Sequence, residues 1–216
     1  MNQALGSMAL VLHAHLPYVR HPEHEDFLEE DWLFEAITEC YVPLLRAFDT
    51  LDGEGVGSRL TMTVTPSLAS MLADPLLESR YRRHLQKMQD LVAHEVAGHE
   101  EGTPLGKSAR FYQGWLRDTR SYVEERWGGN LRDALRHAQD SGRAELVTCT
   151  ATHGLLPTMS TLNSKRAQVR VGVESYRRAF GRDPRGIWLA ECGWQEGLDE
   201  ILAQNGIEYF FTDSHG

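Results

Sequence analysis

Gly186–Ile187–Trp188–Leu189–Ala190–Glu191 is a run of apolar residues that ends directly on a carboxylate. Short and unbroken by polar residues, the run reads as a buried strand. Met8 to Leu12, Leu60 to Val64, Glu145 to Cys149 and Glu208 to Thr212 have the same character. Long stretches with helical spacing lie between them. Trp32 to Leu51 sets Leu33, Ile37, Tyr41, Leu44, Leu45 and Phe48 on one helical face, and Pro75 to Val96 and Leu105 to Trp127 follow suit. Leu131 to Ala138, Lys165 to Phe180 and Leu198 to Gln204 complete the set. Strand and helix in alternation predict an α/β fold, parallel strands with helices packed outside. No repeat, low-complexity tract or long Pro/Gly/Ser linker divides the 216 residues, so they read as one domain or part of one. Residues 76–139 form a long helical excursion between the second and third strands, expected to be a helical subdomain inserted in the fold.

A composition of 41% hydrophobic and 25% charged residues is that of an ordinary folded α/β domain, which argues against disorder and membrane classes. The formal net charge of -9 repels a nucleic-acid duplex or an anionic membrane, so neither is expected as a partner. The first apolar run has no basic residues before it and gives way at once to His13 and His15, which makes it a strand and not a signal peptide. Cys40, Cys149 and Cys192, an odd number at irregular spacing, suit reduced thiols in a cytoplasmic protein. They show no zinc-type pairing. Oligomeric state is not written in these features.

Each strand end carries a residue capable of chemistry or sugar contact. His13 and His15 follow the first strand, His153 the third, Glu191 the fourth, and Asp213 with His215 the fifth. In a β/α barrel the carboxyl ends of the strands share one mouth, so these residues are expected to converge on an active-site rim. A lone histidine at a strand end is as readily a satisfied structural group as a ligand. Glu191 is harder to explain structurally, since burying a carboxylate after an apolar strand is costly without a purpose or a partner. Other polar residues take plainer readings. His21 and His24, with Glu25, Asp26, Glu29, Glu30 and Asp31, read as a solvated loop. His84, His94, His99 and His137 read as helix surface, and Trp115 and Trp127 as core. No phosphate-cradling glycine loop, serine elbow or Cys/His dyad at a recognisable spacing is present.

The stretches His13–Ala14–His15–Leu16–Pro17–Tyr18–Val19–Arg20–His21–Pro22–Glu23, Ala151–Thr152–His153–Gly154 and Trp188–Leu189–Ala190–Glu191–Cys192–Gly193 resemble glycoside hydrolase family 57, in its α-1,4-glucan branching enzyme variety. Glu29 to Glu39 and Tyr209 to Gly216 support the likeness, which spans nearly the whole chain. A single His-x-His is common, but these motifs in this order are hard to reach by chance. The resemblance implies an incomplete, seven-stranded TIM-like barrel and a retaining mechanism without metal or other cofactor. It also implies Glu191 as nucleophile, sugar contacts from His13, His15 and His153, and Trp32 as an aromatic wall. Three of the family's five signature regions fall at His13 to Pro17, Glu145 to His153 and Ile187 to Cys192. The fourth, with the catalytic Asp, is expected beyond Gly216, so the chain reads as an N-terminal part. Trp194–Gln195–Glu196 departs from the more neutral turn usual in relatives.

Retaining transfer needs two carboxyl groups about 5 Å apart, a nucleophile and an acid/base. Glu191 takes the first role. Asp213 is expected near the cleft as an electrostatic or hydrogen-bonding residue and is not read as the acid. The function implied is the making of α-1,6 branches in an α-1,4-glucan. An α-amylase or 4-α-glucanotransferase of the same family, or an inactive glucan-binding fragment, are alternatives. A more remote one is a polysaccharide deacetylase holding zinc through His13, His15 and an Asp.

Overall fold

The structure is a computed structural model that describes residues 6–214, so His215 lies outside the described residues. The chain forms two compact units. The first comprises the chain up to Tyr18, Thr50–Ser70 and everything from Leu135 onward, and the second Val19–Asp49 and Met71–Ala134. In chain order the elements are β1 (Val11–Ala14), α1 (Glu30–Ala36), α2 (Val42–Gly53), β2 (Leu60–Val64), α3 (Pro66–Met71), α4 (Pro75–Gly98), α5 (Pro104–Ser121) and α6 (Leu131–Asp140). β3 (Ala144–Cys149), α7 (Leu162–Phe180), β4 (Gly186–Trp188), α8 (Leu198–Gln204) and β5 (Tyr209–Phe210) follow.

All five strands belong to the first unit, and they pair in parallel in their order along the chain. Parallel neighbours need a crossover between them, and successive strands lying side by side give the pattern of a β/α barrel. It is an incomplete parallel barrel, as expected. Ile187 and Leu189 are fully buried against Val169 and Val173 of α7 and Leu198 and Ile201 of α8. Each such side chain contributes about 1.5–3 kcal/mol on leaving water. The limits of α7 are set chemically. The Thr161 hydroxyl accepts from the Ser164 amide at 3.1 Å, and Gly181, at φ 73°, closes the helix in the left-handed conformation.

The strand expectations shift at β1 and β4, and also at β5, which shortens from Glu208–Thr212 to Tyr209–Phe210, while β3 gains Ala144. The first apolar run was expected to be the strand, but Met8 is 92% exposed and β1 begins at Val11, where pairing with Thr61 starts. Apolarity marked the neighbourhood, and ladder pairing chose the residues. His13 therefore lies inside β1. β4 stops at Trp188 because Ala190–Cys192 fold into a tight turn. The helix expected over Trp32 to Leu51 runs from Glu30 to Gly53, through a π turn at Ile37–Tyr41.

In the second unit Asp74 caps α4, accepting from the amides of Leu76 at 2.9 Å and Leu77 at 3.1 Å while also binding Arg20 Nε at 2.7 Å. The acidic stretch read as a solvated loop is held differently. Glu30 is 2% exposed and forms a buried ion pair with Arg80, whose guanidinium also donates to the carbonyls of His21 and His24. Three acceptors on one guanidinium offset its desolvation, which a reading of local charge could not foresee. His84, expected at the surface, is half-buried with its ring centroid 5.2 Å from that of Phe34, and burial lowers its pKa. Trp115 and Trp127, expected in the core, are only half-buried.

Gly172 sets how closely α7 approaches β3. A Cβ there would fall on the carbonyl oxygen of Cys149, and the Thr148 hydroxyl donates to the Gly172 carbonyl at 3.0 Å. Gly→Ala inside a helix ordinarily gains up to about 1 kcal/mol. Here Gly172→Ala should instead lose about 1–3 kcal/mol, because backbone must move to admit the methyl group. A lower thermal unfolding midpoint is expected, and an equal or higher one would contradict the close packing of α7 on β3.

Candidate active site

The side chains around the carboxyl ends of β1, β3 and β4 come together within the first unit. His13 stacks on Trp188 of β4 with ring centroids 4.5 Å apart and planes 16° from parallel. His153 lies 5.0 Å from His13 and 3.9 Å from His15, which completes a continuous group of four rings. On the far side of His153, Nε2 stands 3.8 Å from Glu191 Oε1.

Backbone strain is concentrated at the same place. Among the described residues, His153 (φ 53°), Glu191 (φ 52°) and Cys192 (φ 55°) are the non-glycine residues in the left-handed region. Each such residue costs on the order of 1–3 kcal/mol and persists only where its surroundings hold it, a pattern that marks functional sites. Buried Leu189 and Ala190 anchor the turn, with the Cys192 amide bonded to the Leu189 carbonyl and that of Gly193 to the Ala190 carbonyl, both at 2.9 Å. The turn lifts Glu191 into solvent, where its side chain is 82% exposed. The burial cost that singled out Glu191 in the sequence therefore does not arise. Its strained backbone singles it out instead.

The rings are held from behind. His15 Nδ1 lies 3.2 Å from the Thr65 hydroxyl, which is 3.1 Å from that of Ser67, which in turn donates to the Leu16 carbonyl at 3.1 Å. His153 Nδ1 lies 3.1 Å from Cys149 Sγ, a Cys/His contact that no sequence spacing announced. Burial, then the neighbouring His153 and His15, lowers the pKa of His13 to about 4. Burial and His153 likewise lower His15 to about 4, against an opposing pull from Glu191. Burial lowers His153 as well, again opposed by Glu191. At neutral pH the group offers hydrogen bonds rather than charge.

The remaining predicted residues lie elsewhere. Asp213 is exposed beyond β5, and its charge, after burial and ahead of that of Glu191, raises the Cys192 pKa. Trp32 is 49% exposed on α1, in the second unit. Trp188 was legible as an apolar strand residue at the head of one resemblance motif, Cys149 only as a reduced thiol, and Thr65 not at all. Among the described residues no group of three or more His, Cys, Asp or Glu side chains is arranged to hold a metal ion.

Residues 9–216 match the family model for glycosyl hydrolase family 57. The chain is 33% identical to a 1,4-alpha-glucan branching enzyme of Thermococcus kodakarensis over 97% of its own length and 32% of the relative's. Among solved structures, the alpha-amylase AmyC of Thermotoga maritima superposes with a TM-score of 0.90 at 45% identity, over 96% of this chain and 40% of that one. The GH57-type branching enzyme of Pyrococcus horikoshii superposes with a TM-score of 0.88 at 34% identity, over 96% and 42%. The chain thus spans between 32% and 42% of the length of these relatives.

The histidine cluster sets a pH dependence. In the unfolded chain His13 and His15 take up protons below about pH 6.5, while in the fold they resist until about pH 4. Acid therefore favours the unfolded chain: their contribution is full above pH 6.5 and is lost as the pH falls through about 4. Imidazole carbon and proton shifts followed by NMR should give midpoints near 4 for both rings. A midpoint near 6.5 for either would contradict the neutral cluster.

Proposed function

The chain belongs to glycosyl hydrolase family 57, and from that membership and the ring cluster beside Glu191 we propose that it carries the nucleophile of a retaining α-glucan branching enzyme. The observation that carries this reading is the Glu191 carboxylate, presented to solvent on a strained turn and 3.8 Å from His153. An exposed, positioned carboxylate can attack, and the left-handed backbone aims it.

In the proposed reaction a Glu191 oxygen attacks the anomeric carbon of an α-1,4-linked glucose unit, and the bond to the departing glycosidic oxygen breaks. A second carboxyl group protonates that oxygen and then takes the proton from the 6-hydroxyl of an acceptor chain, whose oxygen displaces Glu191 with net retention. His13, His15 and His153, neutral at working pH, hydrogen-bond sugar hydroxyls and orient the ring. Trp32 is proposed as an aromatic wall for the glucan. Asp213 is proposed as an electrostatic neighbour of Glu191 and not as the acid. The chemistry uses no metal or other cofactor. Among the described residues no helix is long and apolar enough to cross a membrane, and the partner proposed is a neutral polysaccharide.

An α-amylase is the second reading, favoured by 45% identity to a solved alpha-amylase. The same nucleophile would serve, with water as acceptor.

Glu191→Gln in the complete natural polypeptide should abolish the covalent glycosyl-enzyme seen by mass spectrometry and lower turnover by at least about a thousandfold, since an amide is a very poor nucleophile. Near-normal turnover by that variant would sink the assignment. New α-1,6 linkages in excess of new reducing ends support branching, and the reverse supports the amylase. Dialysis against a strong chelator should leave activity unchanged. Activity lost with a stoichiometric metal and restored by it would move the reading to metal chemistry.

A further inference from the structure

Cys149, the last residue of β3, has no solvent exposure, and its sulfur lies 3.1 Å from Nδ1 of His153. On the opposite edge of that ring, Nε2 faces the Glu191 carboxylate at 3.8 Å. A carboxylate only accepts, so the favourable tautomer of His153 carries its proton on Nε2. Nδ1 is then a bare lone pair that needs a donor, and the thiol is the donor within reach. The other acceptor near the thiol, the Thr150 hydroxyl, lies farther off at 3.8 Å.

The neighbouring ring is wired the other way. The Leu16 carbonyl can only accept, so the Ser67 proton is committed to it. The Thr65 hydroxyl then donates to Ser67 and accepts from His15, which puts the His15 proton on Nδ1 and leaves Nε2 as a free acceptor.

We infer that Cys149 is a positioning residue: its thiol fixes His153 as the Nε2–H tautomer facing Glu191, while the Thr65–Ser67–Leu16 relay fixes adjacent His15 in the opposite tautomer. The two rings, with centroids 3.9 Å apart, then present one donor and one acceptor side by side, a match for sugar hydroxyls that both give and accept hydrogen bonds. The thiol suits this task because burial raises its pKa to about 11, so it keeps its proton across the working range. Burial keeps both imidazoles neutral, aided at His15 by the neighbouring His153, and neutrality is the condition under which a tautomer exists to be chosen.

This inference rests on the proposed role of Glu191, but its test reads the rings directly. In the complete polypeptide with 15N-labelled histidine, long-range 15N–1H spectra at pH 7 distinguish a protonated from a bare ring nitrogen. The unsubstituted protein should show His153 protonated on Nε2 and His15 on Nδ1. Cys149→Ala should convert His153 to a tautomer mixture and leave His15 unchanged. Cys149→Ser should restore the Nε2–H form, since a hydroxyl donates as the thiol does. In glucan turnover, Cys149→Ala should lower kcat about tenfold with KM little changed, and Cys149→Ser should recover most of it. A His153 proton on Nδ1 in the unsubstituted protein overturns the inference even if every variant fails to fold. So does an Nε2–H tautomer that survives Cys149→Ala. The expected tautomers together with an active Glu191→Gln protein would uphold the wiring and remove only the nucleophile assignment.

Discussion

Parallel pairing is the constraint on which the site depends. Strands that all point one way deliver everything that follows them to one side of the sheet, however far apart in sequence. The register then fixes the level at which each side chain emerges. His13 pairs with Thr63, Thr63 with Val147, and Cys149 with Trp188, so β1, β3 and β4 end within a few residues of one another. A slip of one residue in β1 would turn His13 to the opposite face and replace it by Leu12 or Ala14. The stacking of His13 on Trp188 is therefore a consequence of backbone pairing several strands away. Gly172 belongs to the same constraint, since without a side chain it lets α7 press against the carbonyl of Cys149, from whose Sγ the His153 ring is held.

Given that framework, the site carries two kinds of stress that support one another. Three left-handed residues raise the energy of the turns after β3 and β4, and well-packed neighbours such as Leu156, Leu189 and Leu198 hold them in place. Three imidazoles are crowded together, His13 also against an indole, and burial holds them neutral, with repulsion between neighbouring rings adding to it at His13 and His15. Burial, with crowding second, thus selects neutrality. Neutrality in turn makes each ring's hydrogen-bonding character depend on what lies behind it: a thiol behind His153 and a hydroxyl relay behind His15. The chemistry at the surface is set one layer beneath it.

What the sequence revealed follows the same division. β2 and α8 were readable to the residue, because their apolar periods coincide with the pairing and packing that define them. β1 was displaced because its apolar run overhangs the ladder. The four polar residues now gathered at the strand ends were visible as anomalies, polar groups where apolar strands stop. Their supports were not. Trp188 read as an apolar strand residue and Cys149 as a reduced thiol at a strand end, while Thr65 and Ser67 drew no reading. Glu30 was misread for a related reason, since its partner Arg80 lies 50 residues further along. Sequence reasoning recovers what a residue is and where its strand ends. It does not recover a partner chosen by tertiary contact, nor a φ angle imposed by a turn.

In the proposed reaction the choice between transfer to a sugar and hydrolysis then has a definite physical location. Glu191 is 82% exposed, so water has free access to the face from which a glycosyl intermediate would be resolved. Transfer wins only if the bound glucan and whatever covers it exclude water while leaving room for a second chain. Nothing in the proposed nucleophile, the inferred tautomer pair or the ring stack distinguishes a sugar hydroxyl from water, since both are neutral hydroxylic acceptors of similar basicity. A solved alpha-amylase at 45% identity and a solved branching enzyme at 34% accordingly superpose on this chain almost equally well. Substitutions among His13, His15, His153 and Glu191 should thus change how fast the proposed intermediate forms. Substitutions in the surfaces that enclose the glucan should change what the intermediate becomes.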